Sequence, residues 1–254
     1  MPDTDKIARV VALGASNLTR GLPAVVSAAR SAWGPGVELV ASLGLGRSYG
    51  ARSRVGFRSL PSILDSGLWA KLQKMPAAAT RAVIADVGND ILYGFSTPQI
   101  LDWVGAAASR LQTLTADVVL TDLPMASLRR TSRRKFVFLR SILYPPCRLS
   151  YEEILERAEA VNAGLERLAA ALRLRFFRLR SEWYGCDPIH IRPSCWNAAW
   201  CEILDLPPAA NHVSRLEALR LYAAPAEHQW LFGALRVVPQ HGRSLPAGGR
   251  LWLY

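Results

Sequence analysis

The stretch Ile7-Ala8-Arg9-Val10-Val11-Ala12-Leu13, followed by Gly14-Ala15-Ser16-Asn17, decides the fold. Apart from Arg9 the first seven residues are apolar, with none of the alternation of a strand wetted on one side. They read as a strand buried on both faces. Gly14 breaks the run, and helical spacing takes over across 20–32. A buried strand turning directly into a helix is the unit of an open parallel sheet, whose ligands bind beyond the carboxyl ends of the strands.

The same reading repeats along the chain. Apolar, β-branched runs at 37–43, 82–87, 117–122 and 174–179 give four more buried strands. Helical candidates near 60–74, 97–113 and 150–172 lie between them. The last has a capping box, Ser150 with Glu153, and an apolar face of Ile154, Leu155, Ala158, Val161, Leu165 and Leu168. Short strand–helix connections imply right-handed crossovers with helices on both faces. The expected fold is α/β, a three-layer α/β/α (flavodoxin-like) sandwich around a five-stranded parallel sheet in the order 2-1-3-4-5.

Three segments with complementary chemistry fall just after predicted strands. Asp187-Pro188-Ile189-His190 follows the fifth; an acid three residues before a histidine can fix the ring tautomer and leave the far nitrogen as a base. Ser16 follows the first strand and offers a hydroxyl that such a base could activate. Gly88-Asn89-Asp90 follows the third and offers a neutral amide donor for a developing oxyanion. The parallel topology brings all three to one rim.

Composition narrows the function. The 254 residues suit one large domain, and half of them are apolar, yet no apolar run reaches the roughly 18–20 residues of a membrane span. The start, Met1-Pro-Asp-Thr-Asp-Lys6, lacks the basic and apolar regions of a secretory signal, so a cytoplasmic protein is expected. The formal net charge of +11 comes mainly from arginine, clustered at Arg47, Arg52, Arg54 and Arg58 and again at Arg129, Arg130, Arg133, Arg134 and Lys135. Such charge suits nucleic acid, an anionic membrane or an acidic substrate. No nucleic-acid motif accompanies it, and a solvated surface is the expected reading. Cys147, Cys186, Cys195 and Cys201 lack a Cys-x-x-Cys pair, so reduced thiols are expected rather than a zinc site. Gly44-Leu-Gly46-Arg-Ser-Tyr-Gly50 misses the dinucleotide fingerprint, its third glycine falling one position late and after the second strand. No metal or organic cofactor is called for.

The sequence of blocks, Gly-x-Ser at 14–16, a glycine loop at 44–46, Gly-Asn-Asp at 88–90 and Asp-x-x-His at 187–190, resembles the SGNH (GDSL-type) serine hydrolases over about residues 7 to 205. The resemblance implies Ser16 as nucleophile, His190 as its general base and Asp187 as the residue that orients it. It further implies an oxyanion hole of the Ser16 and Gly46 backbone N–H groups and the Asn89 side chain. Two positions depart from the pattern: Ala15 where the family usually has Asp, and Val87 where it usually has Gly.

The expected function is therefore hydrolysis of an ester of a small-molecule or carbohydrate-like substrate through an acyl-enzyme on Ser16. Acyl transfer by the same triad, or a catalytically inactive module holding an anionic partner, are the alternatives. Residues 1–206 form the expected α/β/α domain and 207–254 an extension packed on it. Within the extension, 211–222 read as a short helix or mixed segment and 229–254 as a terminal hairpin turning at Gln240-His-Gly242 or Ala247-Gly-Gly249. Residues 125–149 form an insertion after the fourth strand, either a lid or acyl-binding wall or a helix packed on the core. His212, His228 and His241 have no acid at useful spacing and are expected to be structural.

Overall fold

A computed structural model describes residues 8–145, 147–209, 213–246 and 248–254. Ile7 of the first predicted strand, the Met1–Lys6 start, Pro146 of the insertion, His212 and the Ala247 turn position lie outside the described residues.

The chain begins β1 (Ala8–Leu13), α1 (Ser16–Trp33), β2 (Glu38–Ser42), then a small excursion, β3 (Ser53–Val55) and β4 (Arg58–Leu60). It continues with α2 (Leu68–Lys74), β5 (Ala79–Ile84), α3 (Asn89–Leu92), α4 (Thr97–Gln112) and β6 (Val118–Thr121). The insertion folds into α5 (Met125–Arg129) and α6 (Arg133–Leu143), ahead of the long α7 (Tyr151–Ala171) and β7 (Arg175–Phe177). Then come α8 (Trp196–Ile203), α9 (Arg215–Tyr222), β8 (His228–Leu231), β9 (Ala234–Val237), β10 (Arg243–Ser244) and β11 (Arg250–Leu253).

β1 pairs in parallel with β2 on one side and β5 on the other; β5 pairs with β6 and β6 with β7, again in parallel. Among the described residues the sheet has seven strands rather than the expected five, in the order β10-β11-β2-β1-β5-β6-β7. The expected order 2-1-3-4-5 holds for the five strands from β2 to the β7 edge, and the two further strands extend the sheet beyond β2. The cause is the open edge of β2. Residues 250–253 carry Leu251, Trp252 and Leu253, all buried, and β11 covers that edge in parallel, with β10 antiparallel outside it. Alternation alone predicts a terminal hairpin packed on the domain here, and the two strands instead join the main sheet at its margin. β3, β4, β8 and β9 make a second, antiparallel sheet in the order β3-β4-β8-β9.

β1 shows why the sheet must be covered on both sides. Val11 and Leu13 point into one apolar cluster, which α4 and α7 close with Val104, Leu111, Val161 and Leu165. Val10 and Ala12 point into the other, which α1 and α8 close with Leu22, Val25, Trp200 and Ile203. The capping box of α7 forms: Ser150 Oγ accepts from the Glu153 N–H at 3.1 Å and Glu153 Oε2 from the Ser150 N–H at 2.7 Å.

Arg47 corrects the surface reading of the first arginine cluster. Its side chain is fully buried and donates to the carbonyl oxygens of Leu43, Pro61 and Tyr254. Burial, with the nearby Arg58 charge, pulls its pKa down to about 9. It ties the β2 turn to the end of β11. In the second cluster Arg129 pairs with Glu159 and Arg133 with Glu152, both exposed. Among the described residues no helix is long and apolar enough to cross a membrane.

Candidate active site

Ser16 is the first residue of α1, four positions earlier than the helical spacing suggests. Strand β1 ends at Leu13, and its register with β2 and β5 holds the turn over the sheet edge. Starting the helix here places the Ser16 N–H among the unpaired donors at the positive end of the helix dipole.

His190 reaches Ser16 from the loop beyond β7. Its Nε2 lies 2.9 Å from Ser16 Oγ, and its Nδ1 lies 2.5 Å from Asp187 Oδ2. The other oxygen, Asp187 Oδ1, accepts from the N–H groups of Ile189 and His190 at 3.1 and 3.3 Å. The spacing of three residues works because the loop curls around its own carboxylate. Partial burial raises the Asp187 pKa, but bonding to His190 and the two backbone donors outweighs it, leaving the carboxyl below its ordinary range. His190 is buried while Ser16 is partly open.

Sequence reasoning missed the residue that joins the two loops. Asn17 Nδ2 donates to the Ile189 carbonyl at 2.9 Å and to Asp86 Oδ1 at 2.8 Å, while its Oδ1 accepts from the Ile191 N–H at 2.8 Å. It therefore grips the backbone on both sides of His190. Asp86 was missed too. β5 stops at Ile84, short of the expected 87, and Asp86 turns into the left-handed region at φ 61°. From there its Oδ2 accepts from the N–H groups of Ala15 at 2.8 Å and Leu18 at 3.1 Å, fixing the turn that carries Ser16. An acid inside an otherwise apolar run, Ala82-Val-Ile-Ala-Asp86-Val87, was the available signal.

Asn89 opens the short helix α3 and is buried. Its Oδ1 accepts from the Tyr144 hydroxyl at 2.5 Å and its Nδ2 donates to the Arg47 carbonyl at 3.3 Å, leaving the amide one further N–H. Gly46 sits at φ +63°, and a Cβ there would stand 2.6 Å from Val55 Cγ2 and 3.1 Å from the Tyr93 hydroxyl, so only glycine fits. Val87 packs into the apolar cluster.

A cleft partly open to solvent adjoins Ser16, Asn89 and Asp187. The insertion supplies much of its wall through Leu128, Phe136 and Tyr144, faced by Ile91 and Ile154. Phe136 and Tyr144 are also buried in the core cluster, so the insertion is both wall and packed layer. Asp122 lies in the same cleft, and burial raises its carboxyl to about 6 despite the Leu179 N–H it accepts at 2.7 Å. No group of three or more His, Cys, Asp or Glu side chains among the described residues could hold a metal.

No protein-family model and no curated protein matches the chain. Solved structures do. One superposes with a TM-score of 0.51 at 14% identity, covering 78% of this chain and 96% of its own. A member of the lipolytic protein G-D-S-L family from Veillonella parvula gives 0.49 at 12%, covering 78% and 97%. TesA gives 0.45 at 16%, covering 76% and 93%. At such identities the likeness is one of fold.

Proposed function

We propose that the chain is a serine ester hydrolase of the SGNH type. The observation that carries this reading is the unbroken contact chain from Ser16 Oγ through His190 to Asp187. In the proposed reaction His190 Nε2 takes the Ser16 proton as Oγ attacks the ester carbonyl, and Asp187 stabilises the imidazolium through Nδ1–H. The oxyanion is received by the Ser16 and Gly46 N–H groups and the free N–H of Asn89. The imidazolium then protonates the leaving alcohol, and water activated by His190 releases the acyl group from Ser16.

The apolar cleft favours a substrate whose acyl part is apolar and enters beside Phe136 and Leu128. A fluorophosphonate probe tests the reading directly. The wild-type protein should be labelled and should turn over short aryl esters, while Ser16→Ala should do neither and keep its thermal midpoint. Equal labelling of both proteins would remove Ser16 from the chemistry.

A further inference from the structure

The second sheet ends in two hairpin tips that present an aromatic pair to solvent. Val55 pairs with Arg58 around the loop Gly56-Phe57, and Leu231 pairs with Ala234 around Phe232-Gly233. The rings of Phe57 and Phe232 stack at 4.5 Å and 6° between planes, yet Phe232 remains 83% exposed and Phe57 58%. The Phe232 N–H also donates to the Phe57 carbonyl at 2.9 Å, locking one tip to the other.

Turn chemistry does not explain the aromatic residue. Phe232 and Gly233 both have positive φ, 51° and 87°, a loop that favours Asn-Gly. A bulky residue there is strained and gains little burial in exchange. Behind the tips, β9 is the outer strand of its sheet, and each of its residues is exposed, with Leu235 and Val237 about half accessible. This is an apolar edge of the kind folded proteins usually blunt.

Near the two tips the charge is of one sign, the nearest acid in sequence, Glu227, lying at the far end of β8 beside His228. Residues 45–60 and 228–250 contain no Asp or Glu. Arg54 and Arg236 stand exposed, and Arg52, also exposed, stacks over the Trp230 ring at 3.7 Å. Arg58 Nε is buried without a hydrogen-bond partner among the described residues. Exposed aromatic tips ringed by arginines, with tryptophan set just behind, match the interface of an anionic bilayer, where rings enter the headgroup region and guanidinium groups meet lipid phosphates. We infer that the antiparallel sheet docks this protein on anionic lipid membranes, with Phe57 and Phe232 as the inserting pair. The surface adjoins the catalytic centre, since Val55 of this sheet bears on Gly46.

Co-sedimentation with vesicles tests this without reference to catalysis. Wild-type protein should bind vesicles of equal phosphatidylcholine and phosphatidylglycerol, bind phosphatidylcholine alone weakly, and be released by salt. Phe57→Ser with Phe232→Asn should lower binding to the mixed vesicles by at least roughly tenfold, as expected for two rings kept out of the interface. Asparagine suits the positive φ at 232, so this variant should fold with an undiminished thermal midpoint and unaltered turnover of a soluble ester. Failure of the wild type to bind, or unchanged binding by the variant, would overturn the inference. So would light scattering that finds a wild-type dimer and a variant monomer, which would assign the sheet to a second copy of the chain. Vesicle binding by a protein that hydrolyses no ester would leave the docking surface standing and remove only the proposed reaction.

Discussion

Replacing Asn17 by alanine should separate a positioning role from a purely structural one. The substitution removes the acceptor of the Ile191 N–H at 2.8 Å and the donors to the Ile189 carbonyl at 2.9 Å and Asp86 at 2.8 Å. Ile191 is 3% exposed, so its N–H is left unpaired out of water, which costs about 1–3 kcal/mol. Ile189 is partly open and water can replace part of what it loses, about 0.5–1.5 kcal/mol. The expected destabilisation is about 2–4 kcal/mol, a fall of roughly 4–16 °C in thermal midpoint for a chain of this size.

The catalytic effect should be larger than that loss implies. Asn17 holds the residues on either side of His190, whose Nε2 must stay 2.9 Å from Ser16 Oγ. A displacement of about 1 Å at such a site costs on the order of 100-fold in rate. Aryl-ester turnover and the rate of fluorophosphonate labelling, both measured well below the lowered midpoint, should therefore fall together by about that factor, with a smaller change in KM. If Asn17→Ala lowers the midpoint but leaves kcat at the wild-type value, Asn17 is a clip between two loops and the positioning argument fails.

Two further changes probe the remaining groups. Asn89→Ala should lower kcat by about 100- to 1,000-fold with a smaller effect on KM, as for the loss of one oxyanion donor; unchanged turnover would take Asn89 out of the oxyanion hole. Asp90 is fully buried, and burial raises its carboxyl to about 6 although the Tyr49 N–H and the Ser48 side chain act the other way. A folded pKa above the unfolded one means the native state holds the extra proton between about pH 4 and 6. Stability from this group therefore falls as pH rises through that window, by up to about 3 kcal/mol, and stays low above it. Asp90→Asn should remove that fall, so its midpoint relative to wild type should rise between pH 4 and 7; parallel pH profiles would refute the shift.

The features most legible in the sequence are those whose meaning is local. The Asp187–His190 spacing closes within one loop, and β1 announces itself by seven residues of composition. Asn17 and Asp86 act across the fold instead. Asn17 meets Ile189 at a separation of 172 residues and Asp86 at 69, so neither contact has a short-range signature. Arg47 misled for the same reason: counted with its neighbours it belonged to a basic surface, but the carbonyl oxygens that enclose it come partly from Tyr254, 207 residues away. The seventh and sixth strands were illegible because four residues, Arg250–Leu253, hold too little pattern to reveal that they complete the edge of β2.

The departure at Ala15 shows how a site can be weaker in sequence than in space. The resemblance expects an acid at position 15, and the chain offers a fully buried methyl group. A carboxylate is nevertheless present at this turn, and it is Asp86, which arrives from the end of the neighbouring strand and accepts the N–H of Ala15 itself. The same side chain takes the Leu18 N–H and orients Asn17, so one acid from β5 secures the start of α1 and, through Asn17, the loop that carries His190. Supplying the charge from position 86 requires the left-handed backbone seen there, and the following Val87 then turns inward to pack the core where the resemblance expects glycine. The two departures thus lie on either side of one contact, the bond from the Ala15 N–H to Asp86. They weaken the sequence pattern at or beside two of its four blocks, while Ser16 still meets His190 and shares a cleft with Asn89.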